Sequence, residues 1–183
     1  MSSQSIDRRK KYTRMVLKES LLDILQEKQL FSVTVKEICE LADINRSTFY
    51  DHYADQFALL TEIEDELIED MTNYLHAYNV EQKVEALQMT EKLITYFASK
   101  KRVCLTLLSH NSHSSFEQKV RHVAEHFIMQ NVTKNNHTDK ATYQYMSAYM
   151  ISGSIEVMKM WLENDMDKTP KEIASLITNL STL

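Results

Sequence analysis

The 183-residue sequence is 43% hydrophobic and 26% charged, with a formal net charge of −5. Ordinary usage would give about 13 glycines and about 9 prolines in a chain of this length. There is one of each, Gly153 and Pro170. Tight hairpins need residues tolerant of positive φ, and dinucleotide or nucleoside-triphosphate loops need glycines against phosphate, so barrels, meanders, Rossmann folds and P-loops are excluded. What remains is an all-α chain of one or two domains with short polar connections.

The apolar fraction is too high for disorder. No run of 18 apolar residues occurs, so no membrane span is expected. The first residues are polar and lack the apolar stretch of a signal peptide. Two cysteines, Cys39 and Cys104, make no disulfide framework, so a cytoplasmic location is expected. Charge is unevenly spread. Residues 1–18 hold six basic side chains and one acidic one, whereas residues 61–183 hold 12 basic and 17 acidic. A cationic end on an acidic body fits a segment that meets phosphate, with a solvated basic tail as the plain alternative.

In chain order, apolar Tyr12, Met15, Val16, Leu22 and Leu25 form a stripe at helical spacing over about 8–28. Thr34-Val35-Lys36-Glu37 reads as a capping box, with Val33 and Ile38 at the staple positions. Eleven residues on, Asn45 is a second N-cap, between Ile44 and Phe49 at the same two positions. A helix of about eight residues therefore precedes a second one starting near 46. Asp55 caps a long helix over about 56–78, followed by helices over about 80–98 and a short piece at 103–108. After a polar loop at 109–115 come helices from 116 to about 130, at 139–163 and at 170–182. The last opens with Thr169-Pro170-Lys171-Glu172, a capping box with proline at its first helical position. The count is about nine helices and no strand.

A short helix, a tight turn and a second short helix make a helix-turn-helix. Cys39 is the small residue where the helices cross, and Val35, Ile38, Ala42, Ile44 and Phe49 supply the apolar interior. Asp43 stands where the turn needs the left-handed conformation. A helical hairpin inside a bundle is the plain alternative. Outward positions of the second helix carry Arg46, Ser47, Thr48, Tyr50 and His52. Arg can fork onto guanine, Ser and Thr can meet base edges, and Tyr and His can reach phosphates. Thr34 and Lys36 at the start of the preceding helix suit a phosphate, and Asn45 lies beside them at the second cap.

The run Thr34 to Tyr53, followed by Phe57-Ala58-Leu59-Leu60, resembles the DNA-binding segment of the TetR family of bacterial transcriptional regulators, and the likeness covers about residues 8–62. It implies an N-terminal three-helix DNA-binding domain at residues 1–54, with a basic arm at Arg8–Lys11. A larger helical bundle at 55–183 would bind an effector and form a homodimer on a double-stranded DNA operator. Carried across, Arg46, Ser47 and Thr48 face bases, and Tyr50 and His52 face backbone, within a recognition helix from Arg46 to Tyr53. The sequence departs from the family at Gln29 and Asp43, where glycine is usual, and at Gln56, where lysine commonly begins the fourth helix.

The helix at 139–163 is apolar nearly all round and holds the lone glycine, which points to a tight crossing. Met150, Gly153, Ser154, Val157 and Trp161, with Ile173, Leu176, Ile177 and Leu180 of the last helix, are the expected dimer face, an intrachain core being the alternative. The segments 153–161 and 169–173 also resemble the branch containing regulators of dihydroxyacetone kinase. Met89, Tyr96, Phe97, Leu105, Phe127, Tyr143 and Met146 are candidates for an effector pocket, although apolar stripes are more often plain core. His110, His113, His122 and His126 raise the question of metal, but no cysteine or carboxylate partner accompanies them, so neither metal nor cofactor is expected. The reading is a DNA-binding repressor answering to a small molecule. A protein co-regulator in place of that molecule, or a helical metal-dependent enzyme, are the alternatives.

Overall fold

The computed structural model describes residues 3–77, 83–109, 112, 114–132 and 140–180. Among these the fold is all-helical: α1 (Ser3–Ile24), a single 3-10 turn (Leu30–Ser32), α2 (Val35–Ala42), α3 (Arg46–Tyr50), α4 (Gln56–His76), α5 (Lys83–Ser99), α6 (Lys101–Leu108), α7 (Phe116–Val132), α8 (Lys140–Glu163) and α9 (Pro170–Leu180). Nine helices and no strand match the composition argument. His110 and His113 lie outside the described residues, as do the side chains of Tyr143 and Leu180.

The chain forms two compact units. One takes in the sequence up to Glu66 together with Thr106–Ser114; the other takes in Leu67–Leu105 and Ser115–Leu183. In the first unit α1 packs on α2 and α2 on α3. Its core holds Leu17, Leu21, Leu25, Ile38, Phe49 and Leu59, all essentially inaccessible to solvent. The buried face of α1 differs from the expected stripe. Tyr12 and Met15 are exposed, while Thr13 and Ser20 are buried between the leucines. Short hydroxylated side chains let a neighbouring helix approach, so the inward face is not the most apolar one.

Ion pairs fasten α1 to α4 within this unit. Arg14 donates to the Glu62 carboxylate at 2.6 Å, and the Lys18 ammonium lies 2.5 Å from Glu62 and 2.6 Å from Glu66. Two of the six N-terminal cations are therefore neutralised inside the unit. Arg8, Arg9, Lys10 and Lys11 are exposed along α1 itself, which begins at Ser3 and so includes the expected arm.

In the second unit α5 packs on α9, α7 on α8, and α8 on α9. Ile94, Phe97, Ile151, Ile155, Met158, Leu162 and Ile173 are buried there. The end of α8 is locked by Trp161, whose indole N–H donates to the Lys168 carbonyl at 2.9 Å. Thr169 and Glu172 then form the reciprocal cap of α9 that the sequence pattern implies. No helix among the described residues is long and apolar enough to cross a membrane.

Candidate nucleic-acid interface

The start of α2 is held by the reciprocal cap. The Glu37 amide donates to Thr34 Oγ1 at 3.2 Å, and the Thr34 amide and hydroxyl both donate to Glu37 Oε2 at 3.0 Å. Lys28 also donates to the Glu37 carboxylate. That ammonium, and then the Thr34 bonds, hold the Glu37 carboxyl down at about 2. Thr34 is thus already occupied as a cap, and Lys36 is exposed with its ammonium 3.6 Å from Glu40.

The turn follows from how α2 stops. Asp43 sits at φ 52°, ψ 43°, the left-handed region. Its amide points back at the Glu40 carbonyl at 3.4 Å, and the Ile44 amide donates to the Cys39 carbonyl at 3.0 Å. These two bonds form a Schellman stop. Aspartate tolerates the left-handed well at lower cost than bulkier residues, so the departure from glycine at Asp43 leaves the geometry intact. At Gln29, by contrast, φ is −74° and ψ is 142°. No glycine is needed there.

Asn45 is extended, and its side chain accepts the Ser47 amide at 3.5 Å. The α-helix proper ends at Tyr50, shorter than the expected recognition helix. The Tyr53 amide still reaches the Phe49 carbonyl at 2.9 Å, so the backbone keeps turning through His52. Phe49 is fully buried, Tyr53 nearly so, and Phe49 lies 5.6 Å from Tyr50 and 5.7 Å from Tyr53, ring centre to ring centre. The Tyr53 hydroxyl donates to Glu62 at 3.1 Å. Burial opposes ionisation of Glu62, but the Lys18 and Arg14 cations outweigh it and keep the carboxyl below the usual range. Arg46, Ser47 and Tyr50 are exposed, Tyr50 at 54%, and Thr48 and His52 are half-buried. The polar row is therefore presented away from Phe49 and Tyr53. At Gln56 no cation begins α4, and Asp55 caps it by accepting the Ala58 amide at 2.8 Å.

Of the effector candidates, Met89, Phe97 and Phe127 line a cavity of about 300 Å³ in the second unit. Tyr96 and Leu105 do not line it; the Tyr96 hydroxyl donates to Asp70 at 2.5 Å, in a separate shallow depression. Met146 is exposed. Of the dimer candidates, Met150, Ser154 and Ile177 line the cavity, Trp161 and Ile173 are buried, Val157 is half-buried, and Gly153 and Leu176 are exposed. Among the described residues a Cβ built on Gly153 meets nothing within 4 Å, so no tight crossing with them explains it. Tyr145 and Tyr149, exposed at 79% and 74%, and the exposed Met160 were not among the sequence candidates. Aromatic residues spaced four apart were the available signal. No group of three or more His, Cys, Asp or Glu side chains among the described residues is placed to hold a metal ion.

A short capped helix, a left-handed stop and a second short helix with an outward polar row define the helix-turn-helix class. The C-terminal region of transcriptional regulators of the TetR type matches this chain over residues 85–183. The chain belongs to the TetR family of transcriptional regulators. It is 45% identical over 58 residues to a Bacillus subtilis (strain 168) protein described as an uncharacterized HTH-type transcriptional regulator, YxbF, the match spanning 31% of this chain but only 15% of that protein. A TetR transcriptional regulator from Streptococcus agalactiae 2603V shares the fold with a TM-score of 0.70 at 21% identity, covering 98% of this chain and 99% of that one. The dihydroxyacetone kinase operon activator DhaS gives 0.60 at 17% identity, covering 93% and 94%.

Proposed function

We propose that the chain is an effector-responsive repressor that binds a palindromic operator as a homodimer in the cytoplasm. The observation that carries this is the outward row Arg46, Ser47, Tyr50, set by the Asp43 stop and backed by buried Phe49. Arg46, Ser47 and Thr48 take base edges; Tyr50, His52 and Lys36 take phosphates, with the Thr34 cap and Asn45 fixing the register beside them. Residues 1–54 serve as the DNA-binding domain and 55–183 as the effector and dimer domain. Exposed Tyr145, Tyr149, Gly153 and Met160 on α8, with Leu176 on α9, give an apolar face of the kind a second copy covers. Ligand in the second unit favours dimers whose recognition helices no longer match successive major grooves about 34–36 Å apart.

Footprinting of genomic DNA with the full chain tests this. A two-fold symmetric site, bound by two chains with an affinity that falls steeply with salt, is the expected result. A salt-independent affinity, or a chain monomeric on its site, overturns it. Activation is the second reading, favoured by the resemblance of 153–161 and 169–173 to the dihydroxyacetone-kinase regulator branch. A reporter downstream of the recovered site separates the two by the sign of its response.

A further inference from the structure

The 300 Å³ cavity adjoins a second concavity, and their linings differ in chemistry. Among the described residues, the polar side chains lining the larger space are Thr90, Ser154 and Thr178. Each donates its hydroxyl proton to a carbonyl one turn back in its own helix: to Ala86 at 2.8 Å, to Met150 at 2.7 Å and to Ala174 at 2.7 Å. A ligand there meets methyl, methylene and ring groups, no charge and no uncommitted hydroxyl proton. A carboxylate in that space would keep its desolvation cost uncompensated, whereas a hydrocarbon would not. The volume is about twice that of the roughly 150 Å³ apolar cavity that takes benzene, enough for a chain of about ten carbons.

The second concavity, of about 220 Å³, shares Leu75 and Phe127 with the first and is lined by His76, His122 and His126. His76 ends α4, and His122 and His126 stand one turn apart on α7. An imidazole carries at least one N–H donor in either protonation state. The N–H donors of His76 and His122 suit an anion. Hydrocarbon space on one side of Leu75 and Phe127, and imidazoles on the other, match the two ends of one molecule.

We propose that the second unit binds a single-chain amphiphile with a carboxylate head, the tail in the apolar cavity and the head at His76 and His122. Phe127, half-buried at the partition, turns aside to admit the tail. This rests on the reading of the second unit as the effector-binding part.

Calorimetry of the full chain with decanoate and with 1-decanol, both below their aggregation limits, tests it. Decanoate is expected to bind at one per chain and at least tenfold more tightly than decanol. His76→Ala with His122→Ala is expected to weaken decanoate at least tenfold and decanol less than threefold. Equal affinities for the two probes, no binding of decanoate, or parallel losses in the double variant would overturn the proposal. The wild-type comparison decides it even where the double variant fails to fold. Operator release is read separately. Decanoate that binds as expected without releasing DNA overturns the effector reading and leaves this one; release by another compound, with decanoate not binding, does the reverse.

Discussion

Arg46 and Lys36 stand ten residues apart in sequence, and the proposed reading gives them different duties. Arg46 belongs to the outward row of α3, whereas Lys36 sits on the first turn of α2 beside its cap. A forked guanidinium on a guanine edge discriminates by about 1–3 kcal/mol, while a lysine on phosphate adds affinity without sequence preference. Arg46→Ala should therefore relax preference at one operator position, and Lys36→Ala should weaken all sequences alike and flatten the salt slope by about one. Binding to a randomised operator library at two salt concentrations checks both; identical uniform losses would reassign the roles. Glu37 makes a separate prediction. Its carboxyl, held at about 2 by Lys28 and Thr34, is depressed relative to the unfolded chain. Its contribution to stability is therefore complete above the ordinary glutamate value of about 4.3 and is lost as pH falls through about 2. Carboxyl-detected NMR should find it there, and Lys28→Ala should move it up.

Helix ends in this chain are instructive because glycine is scarce. Asp43 after α2 and Asp165 after α8 both adopt left-handed φ, 52° and 55°. In each case the following amide bonds back to the carbonyl five residues earlier, Ile44 to Cys39 and Met166 to Trp161. Aspartate occupies the position that glycine usually fills. Asp43→Ala should cost about 1 kcal/mol, because alanine lacks aspartate's local hydrogen-bonding compensation in that well, and Asp43→Gly should be near neutral. Thermal melts of the two variants check this. The helix-turn-helix was legible in sequence because caps and staples are local: Thr34, Glu37 and Asn45 act on their own neighbours. Its last turn was less legible, since α-helical pairing stops at Tyr50 while the chain keeps turning to Tyr53. The exposed face of α8 was legible only at Gly153. A helix apolar on every side has no periodicity to show which side is covered, so Trp161 and Ile173 were placed on a surface when they are interior. Gly153 is the position to test. Open space around it means Gly153→Ala should raise helix stability by about 1 kcal/mol in the monomer. If a second copy approaches there, the same change should weaken the dimer, read by sedimentation at several concentrations.

At the scale of the whole molecule, composition and charge set the class before any motif is read. One glycine and one proline leave helices, and helices are what fold. The cationic start was only partly legible as an interface. Arg14 and Lys18 carry the right charge, but they are bound to Glu62 and Glu66, partners 48 residues away that no local pattern could reveal. Three of the effector candidates, Met89, Phe97 and Phe127, line the apolar cavity of the second unit, and Tyr96, Leu105 and Met146 do not, because a cavity is built from residues far apart in sequence that pattern alone does not bring together. The histidines of α7 were singled out as doubtful metal ligands. Their neighbour His76, at the end of α4, is what turns them into the lining of a concavity.

Met150, Ser154 and Met158 wall the cavity, while Tyr149, Gly153 and Glu156 on the same helix face outward. If a second copy covers the outward face, as proposed, one rod borders a guest on one flank and a twin on the other. Thermodynamic reciprocity then applies: whatever the guest does to self-association, self-association must do to the guest by the same factor. Dilution should retune how tightly the guest is held, and an affinity indifferent to protein concentration would mean that the two flanks of α8 do not communicate.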